Sequence, residues 1–134
     1  MAQPTDFHAG RPAPTDSAFE LFAWFFMRVS GVVLLLLALG HLVIMHLLNN
    51  IDAINYDFVA GRWAGKGGLL WRTYDWMMLF LALLHGMNGL RTILEDYLRP
   101  GGWRTFSMAA LYALSFGFLA VGSMVIFTFT PMLK

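Results

Sequence analysis

The stretch Val29–Leu48, VSGVVLLLLALGHLVIMHLL, decides the fold. Its twenty residues hold no Asp, Glu, Lys or Arg, and at ~1.5 Å per residue a helix of that length matches the ~30 Å hydrocarbon core of a bilayer. The composition around it agrees. The 134-residue chain is 58% hydrophobic and 13% charged, whereas charged residues make up about a quarter of a soluble domain. The expectation is an all-α membrane protein. A net charge of +1, with scattered basic residues, gives no case for nucleic acid as a partner. Without cysteine there is no disulfide framework, zinc–thiolate site or thiolate-held iron–sulfur cluster. Any metal must arrive through histidine or inside a prosthetic group.

Upstream, residues 1–16 carry Pro4, Pro12 and Pro14 among small and polar residues and read as an extended tail. They lack the basic region and apolar run of a cleavable signal peptide. The membrane domain is expected over residues 17–134. Ser17 and Glu20 fit a capping box that opens the first helix; its aromatic-rich start, with Trp24, suits the interface, and the first span is expected at about 25–48. Residues 49–72 form a polar connection in which Asn49 and Asn50 can end the helix. Tyr56–Trp63 can form a short amphipathic helix along the membrane surface, broken by Gly65-Lys66-Gly67-Gly68. The second span is expected at about 73–96, its uncharged centre lengthened by snorkelling of Asp75 and Arg91. After the turn Arg99-Pro-Gly-Gly-Trp-Arg104, an uncharged third span follows at about 105–129. Three spans put the termini on opposite sides, and five basic residues against four favour a cytoplasmic amino terminus. Three helices are too few to enclose a cofactor, so other chains are expected.

The chemistry is concentrated in Leu83–Tyr97, LLHGMNGLRTILEDY. An ionisable group at mid-membrane is costly and usually has a partner, which singles out His85. Neutral imidazole is a common axial ligand of haem iron; the competing reading is an interhelical hydrogen bond. Eleven residues later Asp96 returns to nearly the same face. Gly89, on that stripe, leaves room for something flat beside the backbone. His41 lies thirteen residues after Arg28, as His85 lies eleven before Asp96, so the two imidazoles are expected at similar depth, able to face one cofactor. Ser30 shares the His41 face. Arg28 and Arg91 stand just inside their spans, where a guanidinium can snorkel or pair with an acid, a propionate or a quinone oxygen. With Ser30, Asp96 and Tyr97 they are expected to make a polar cluster at one interface. His46 is turned away from His41, and His8 in the tail has no case. No phosphate-cradling loop, Ser/His/Asp set or histidine–glutamate zinc motif is present, so hydrolytic chemistry has no residues here.

His85-x3-Gly89-x-Arg91-x4-Asp96-Tyr97 resembles the second-helix motif of the membrane-anchor subunits of succinate dehydrogenase, also called succinate:quinone oxidoreductase or complex II. Arg28-Val-Ser30-Gly31 is similar to the Arg-x-Ser-Gly motif of the same anchors. The resemblance spans essentially residues 20–130, and the Asp-Tyr pair favours the smaller, D-type anchor over the C-type. It implies a multi-pass subunit of the inner (cytoplasmic) membrane. A flavoprotein subunit with FAD and an iron–sulfur subunit would dock on the cytoplasmic side, oxidise succinate and pass electrons to menaquinone or ubiquinone. It further implies that His85 is an axial ligand of haem b, that a second anchor subunit supplies the other ligand, and that Asp96 and Tyr97 border the quinone. Arg28 and Ser30 would then stand near the quinone and the haem propionates. His41 departs from the simplest form of the pattern. The competing functions are a haem-b subunit of another quinone-linked respiratory enzyme and a cofactor-free structural scaffold.

Overall fold

The computed structural model describes residues 18–130; the tail and the Ser17 capping box lie outside them. Four helices are described. Helix α1, Ala18–Leu42, continues through one π-helical turn, Val43–Leu47. After a short 3-10 turn at Ile51–Ala53 come α2, Tyr56–Ala64, then α3, Gly68–Tyr97, and α4, Gly102–Thr128. Leu21–Leu47, Gly68–Tyr97 and Gly102–Thr128 are long and apolar enough to cross a membrane. At ~1.5 Å per residue each exceeds the ~30 Å hydrocarbon core, so their polar ends stand clear of it.

Helix α3 is the axis of the fold, because α1, α2 and α4 all pack against it. The packing follows membrane logic, in which small residues and a few hydrogen bonds replace a hydrophobic core. Towards α4, Trp76 Nε1 donates to Ser123 Oγ at 2.9 Å. One residue earlier Gly122 gives Leu79 its place, since a Cβ there would lie 2.5 Å from Leu79 Cδ2. Towards α1, the Tyr74 hydroxyl donates to the Leu37 carbonyl and fits because Gly40 has no side chain. Among the described residues only Ala60, Leu81 and Ile126 are buried large or small hydrophobics. Three such residues cannot stabilise a free-standing domain, so the exposed apolar faces require lipid or other chains.

The connection between α1 and α3 is more ordered than a polar loop. Asn50 accepts from Asp52 N at 3.1 Å and Asn55 caps α2 by accepting from Phe58 N at 3.0 Å. The glycine run then turns the chain sharply. Gly67 has φ 86°, and a Cβ on Gly68 would meet the Trp63 carbonyl oxygen at 2.2 Å. Helix α3 therefore starts at Gly68, five residues before the expected span. Arg72 belongs to this helix rather than to the connection. Its Nε donates to Trp63 O at 3.1 Å, and its two terminal nitrogens donate to Ile126 O at 2.5 Å and Phe129 O at 2.7 Å. One guanidinium thus satisfies carbonyls at the carboxyl ends of α2 and α4, where the helix dipoles favour a cation.

Arg72→Met should therefore loosen two helix ends together. Hydrogen bonds to a charged group contribute ~1.5–3 kcal/mol each, so we expect a clear fall in the thermal midpoint of the detergent-extracted protein. Arg72→Lys, which cannot fork across three carbonyls, should recover only part of it. Unchanged melting in Arg72→Met would show that the clasp contributes nothing.

Candidate functional site

The one buried polar side chain among the described residues is Ser30, 3% exposed, on α1. Its hydroxyl lies 3.2 Å from Nδ1 of His85 on α3 and 3.3 Å from the carbonyl oxygen of Met27. The neighbouring Gly31 lets the imidazole sit against the α1 backbone, for a Cβ there would be 3.1 Å from His85 Cε1. Sequence reasoning isolated His85 and Ser30 but did not join them. Among the described residues, Nε2 of His85 has no hydrogen-bonding partner. The surroundings of α3 are open at Gly86 and Gly89, where an added Cβ would meet nothing within 4 Å. An imidazole with one nitrogen engaged keeps the other for a hydrogen bond or a metal.

No three His, Cys, Asp or Glu side chains converge as a metal-holding group among the described residues. A bare ion has no donor set here. A single imidazole suits a metal that brings most of its own ligands, as an iron porphyrin does.

The position of His41 corrects an expectation. Its Nδ1 lies 4.0 Å from Oδ1 of Asp75, and its ring stacks on Tyr74 with centroids 6.5 Å apart. The other carboxylate oxygen of Asp75 accepts from Trp63 Nε1 at 2.8 Å. His41 is eleven residues from Ser30 and Asp75 is ten from His85, which separates the two imidazoles by ~15 Å along the helices. At that offset they cannot both ligate one metal ion. The error came from treating Arg28 and Asp96 as markers of one plane. Ser30 and His85 are in contact, so Arg28 is level with His85 and Asp96 is about three turns further along. His46 is exposed on the π-helical turn.

The expected polar cluster is accordingly spread over two levels. Near His85, exposed Arg28 places its guanidinium carbon 4.0 Å above the Trp24 ring. Six residues beyond His85, Arg91 has a buried Nε with no hydrogen-bond partner. At the end of α3, Asp96 is exposed and Tyr97 is 84% exposed. Beside them Glu95 pairs with Arg104 of α4 at 3.9 Å, a contact the sequence reading missed. No hydrogen bond or ion pair within the chain links Arg28, Ser30, Arg91, Asp96 and Tyr97 to one another. Among the described residues, Tyr97 and Asp96 thus present their polar atoms outward at one end, while His85 presents Nε2 deeper in the same helix.

The family described as Succinate dehydrogenase/Fumarate reductase transmembrane subunit matches residues 7–126. The succinate dehydrogenase hydrophobic membrane anchor subunit of Archaeoglobus fulgidus is 29% identical to this chain over 100 residues, covering 75% of the chain and 81% of that relative.

The helix register is open to a direct test, because the chain has no cysteine of its own. We expect a short bifunctional thiol reagent to join the pair His41→Cys with Asp75→Cys. The pair His41→Cys with His85→Cys should stay unlinked. The opposite pattern on a mass shift or protease-fragment gel would overturn the offset of α1 and α3.

Proposed function

We propose a role on the premise that the chain belongs to the succinate dehydrogenase/fumarate reductase transmembrane-subunit family: it is a succinate dehydrogenase membrane anchor that binds haem b through His85 and helps build the quinone site. The single observation carrying this reading is His85, held at Nδ1 by Ser30 within an apolar span and with no hydrogen-bond partner for Nε2 among the described residues. The residues fit the group. His85 would hold the group through Nε2, and Gly89, four residues on along the same face, has no side chain to obstruct it. The partnerless Nε of Arg91 is a donor ready for a carboxylate such as a propionate. His41, ~15 Å away along the helices, would not share an iron with His85, so any further protein ligand would be sought in a second anchor subunit. Haem bound here supplies one-electron redox chemistry.

The end of α3 serves a different purpose. Tyr97 and Asp96 lie at the polar end of a helix whose apolar body crosses the membrane. A phenolic hydroxyl there can donate to a quinone carbonyl, and Asp96 can orient that hydroxyl or relay a proton at its carboxylate. A quinone site open on one side within this chain must be closed by others. An iron–sulfur subunit over the Tyr97 end and a second anchor against the exposed apolar faces complete it, with a flavoprotein subunit oxidising succinate beyond. Ala18 and Tyr97 are each twelve residues from the Ser30–His85 contact, so the start of α1 and the end of α3 share one side of the membrane. We assign that side to the cytoplasm of the inner membrane. The same hydrogen bond supports one rival, a cofactor-free scaffold in which Ser30 and His85 merely fasten α1 to α3.

His85→Ala in the purified complex should abolish or shift the reduced-minus-oxidised haem absorbance while succinate oxidation by a soluble dye persists. An unchanged spectrum rules out ligation. Tyr97→Phe should lower quinone reduction about tenfold, the consequence of one lost hydrogen bond of ~1.4 kcal/mol at the reacting carbonyl. Equal loss in the dye assay would count against a quinone role.

A further inference from the structure

Two adjacent residues of α1 meet the same ring of α3. We infer that Ser30 and Gly31 are positioning residues for His85: the Ser30 hydroxyl holds the imidazole in its Nδ1–H tautomer, and the bare Gly31 backbone sets the ring plane, so that Nε2 keeps a lone pair for iron. This rests on the haem reading above. It adds what determines the protonation pattern and donor strength of the ligand, and it moves Ser30 away from the quinone and the propionates.

The tautomer follows from counting one proton. Ser30 Oγ lies within hydrogen-bonding distance of two atoms, the Met27 carbonyl oxygen at 3.3 Å and His85 Nδ1 at 3.2 Å. A carbonyl oxygen can only accept, so in the arrangement that keeps both contacts with Nε2 unprotonated the hydroxyl proton goes to Met27 and an Oγ lone pair faces Nδ1. Nδ1 must then carry a hydrogen, and Nε2 is left as an acceptor. In the reverse arrangement the hydroxyl donates to Nδ1 and forsakes Met27. Nε2–H then becomes a donor with no acceptor among the described residues, inside an apolar span. Ser30 is 3% exposed, which leaves little access for water to stand in for either bond. No ion pair competes, because the Arg28 guanidinium is turned over Trp24.

The hydrogen bond also tunes the ligand. Donation from Nδ1–H to an oxygen raises the electron density of the ring and makes Nε2 a stronger donor to iron, which favours the oxidised metal. Gly31 acts by shape. A Cβ at that position would stand 3.1 Å from Cε1, closer than ordinary van der Waals contact, so Ala there requires the ring to give by a few tenths of an ångström, while the Ser30 hydroxyl itself is kept.

The test compares variants in the purified complex by haem midpoint potential, haem retained during incubation with an apoglobin acceptor, and low-spin electron paramagnetic resonance. Ser30→Ala should shift the potential upward and weaken haem retention about tenfold or more, in line with the loss of a metal ligand's hydrogen-bond partner. Ser30→Thr, which keeps the hydroxyl, should restore both. Ser30→Val has the shape of Thr without the hydroxyl, so the Thr and Val pair decides the matter should Ser30→Ala fail to assemble. Gly31→Ala should move the resonance g values, which report the plane of the axial ring. Wild-type potential and retention in both Ser30→Ala and Ser30→Val, in a complex that loses its haem in His85→Ala, would overturn the positioning role and leave the haem reading standing. Haem unchanged in His85→Ala overturns both.

Discussion

The contact between the buried Ser30 hydroxyl and His85 Nδ1 is the constraint on which the rest of the structure depends. Polar groups inside an apolar span must be satisfied within protein, and this contact satisfies two of them at once: a hydroxyl and one ring nitrogen. It also sets the relative depth of α1 and α3. From that depth follow the level of Arg28, the distance of His41, and the placement of Tyr97 three turns beyond the imidazole at the polar end. What the contact leaves unsatisfied is Nε2, and that remainder is where function enters.

At the opposite end of α3 the logic is structural. Arg72 gathers the carboxyl ends of α2 and α4, Asp75 receives Trp63 and stands beside His41, and Tyr74 reaches the α1 backbone. Polar residues there are largely engaged within the chain. At the His85 and Tyr97 levels they are not: Arg91 Nε, Asp96 and Tyr97 have no partner among the described residues. Glu95 beside them is paired with Arg104, so it is these particular groups that are left to take contacts from outside the chain. The few buried side chains and the many exposed apolar ones point the same way.

Much of the fold was legible because the spans are read from absent charge, and a charge in hydrocarbon is costly wherever its neighbours lie. The three apolar helices and the helical Tyr56–Ala64 segment needed no tertiary information. Depth was another matter. Arg28 and Asp96 looked like markers of one interface, yet long stems and helices longer than the bilayer let charged residues sit turns apart in height. Only the Ser30–His85 contact reveals the offset, and no spacing within a single helix encodes it. Arg72 was missed for a related reason: it sat in an apparent loop, and its acceptors, Ile126 and Phe129, lie more than fifty residues away. The Asn55 cap, by contrast, carried a local signal, an Asn just before a helical run, that could have been read. His85 and Ser30 were each visible as polar residues in apolar stretches, and their partnership was not.

The central claim is that an external metal completes the coordination of His85. A density map of the assembled, membrane-extracted complex, at a resolution that separates the two ring nitrogens' surroundings, tests it most directly. The account predicts porphyrin iron at bonding distance from Nε2, with Ser30 Oγ remaining on Nδ1 and the second axial position filled from another chain. A map in which Nε2 instead meets lipid, or donates to a protein carbonyl, with no porphyrin between α3 and its neighbours, would contradict it.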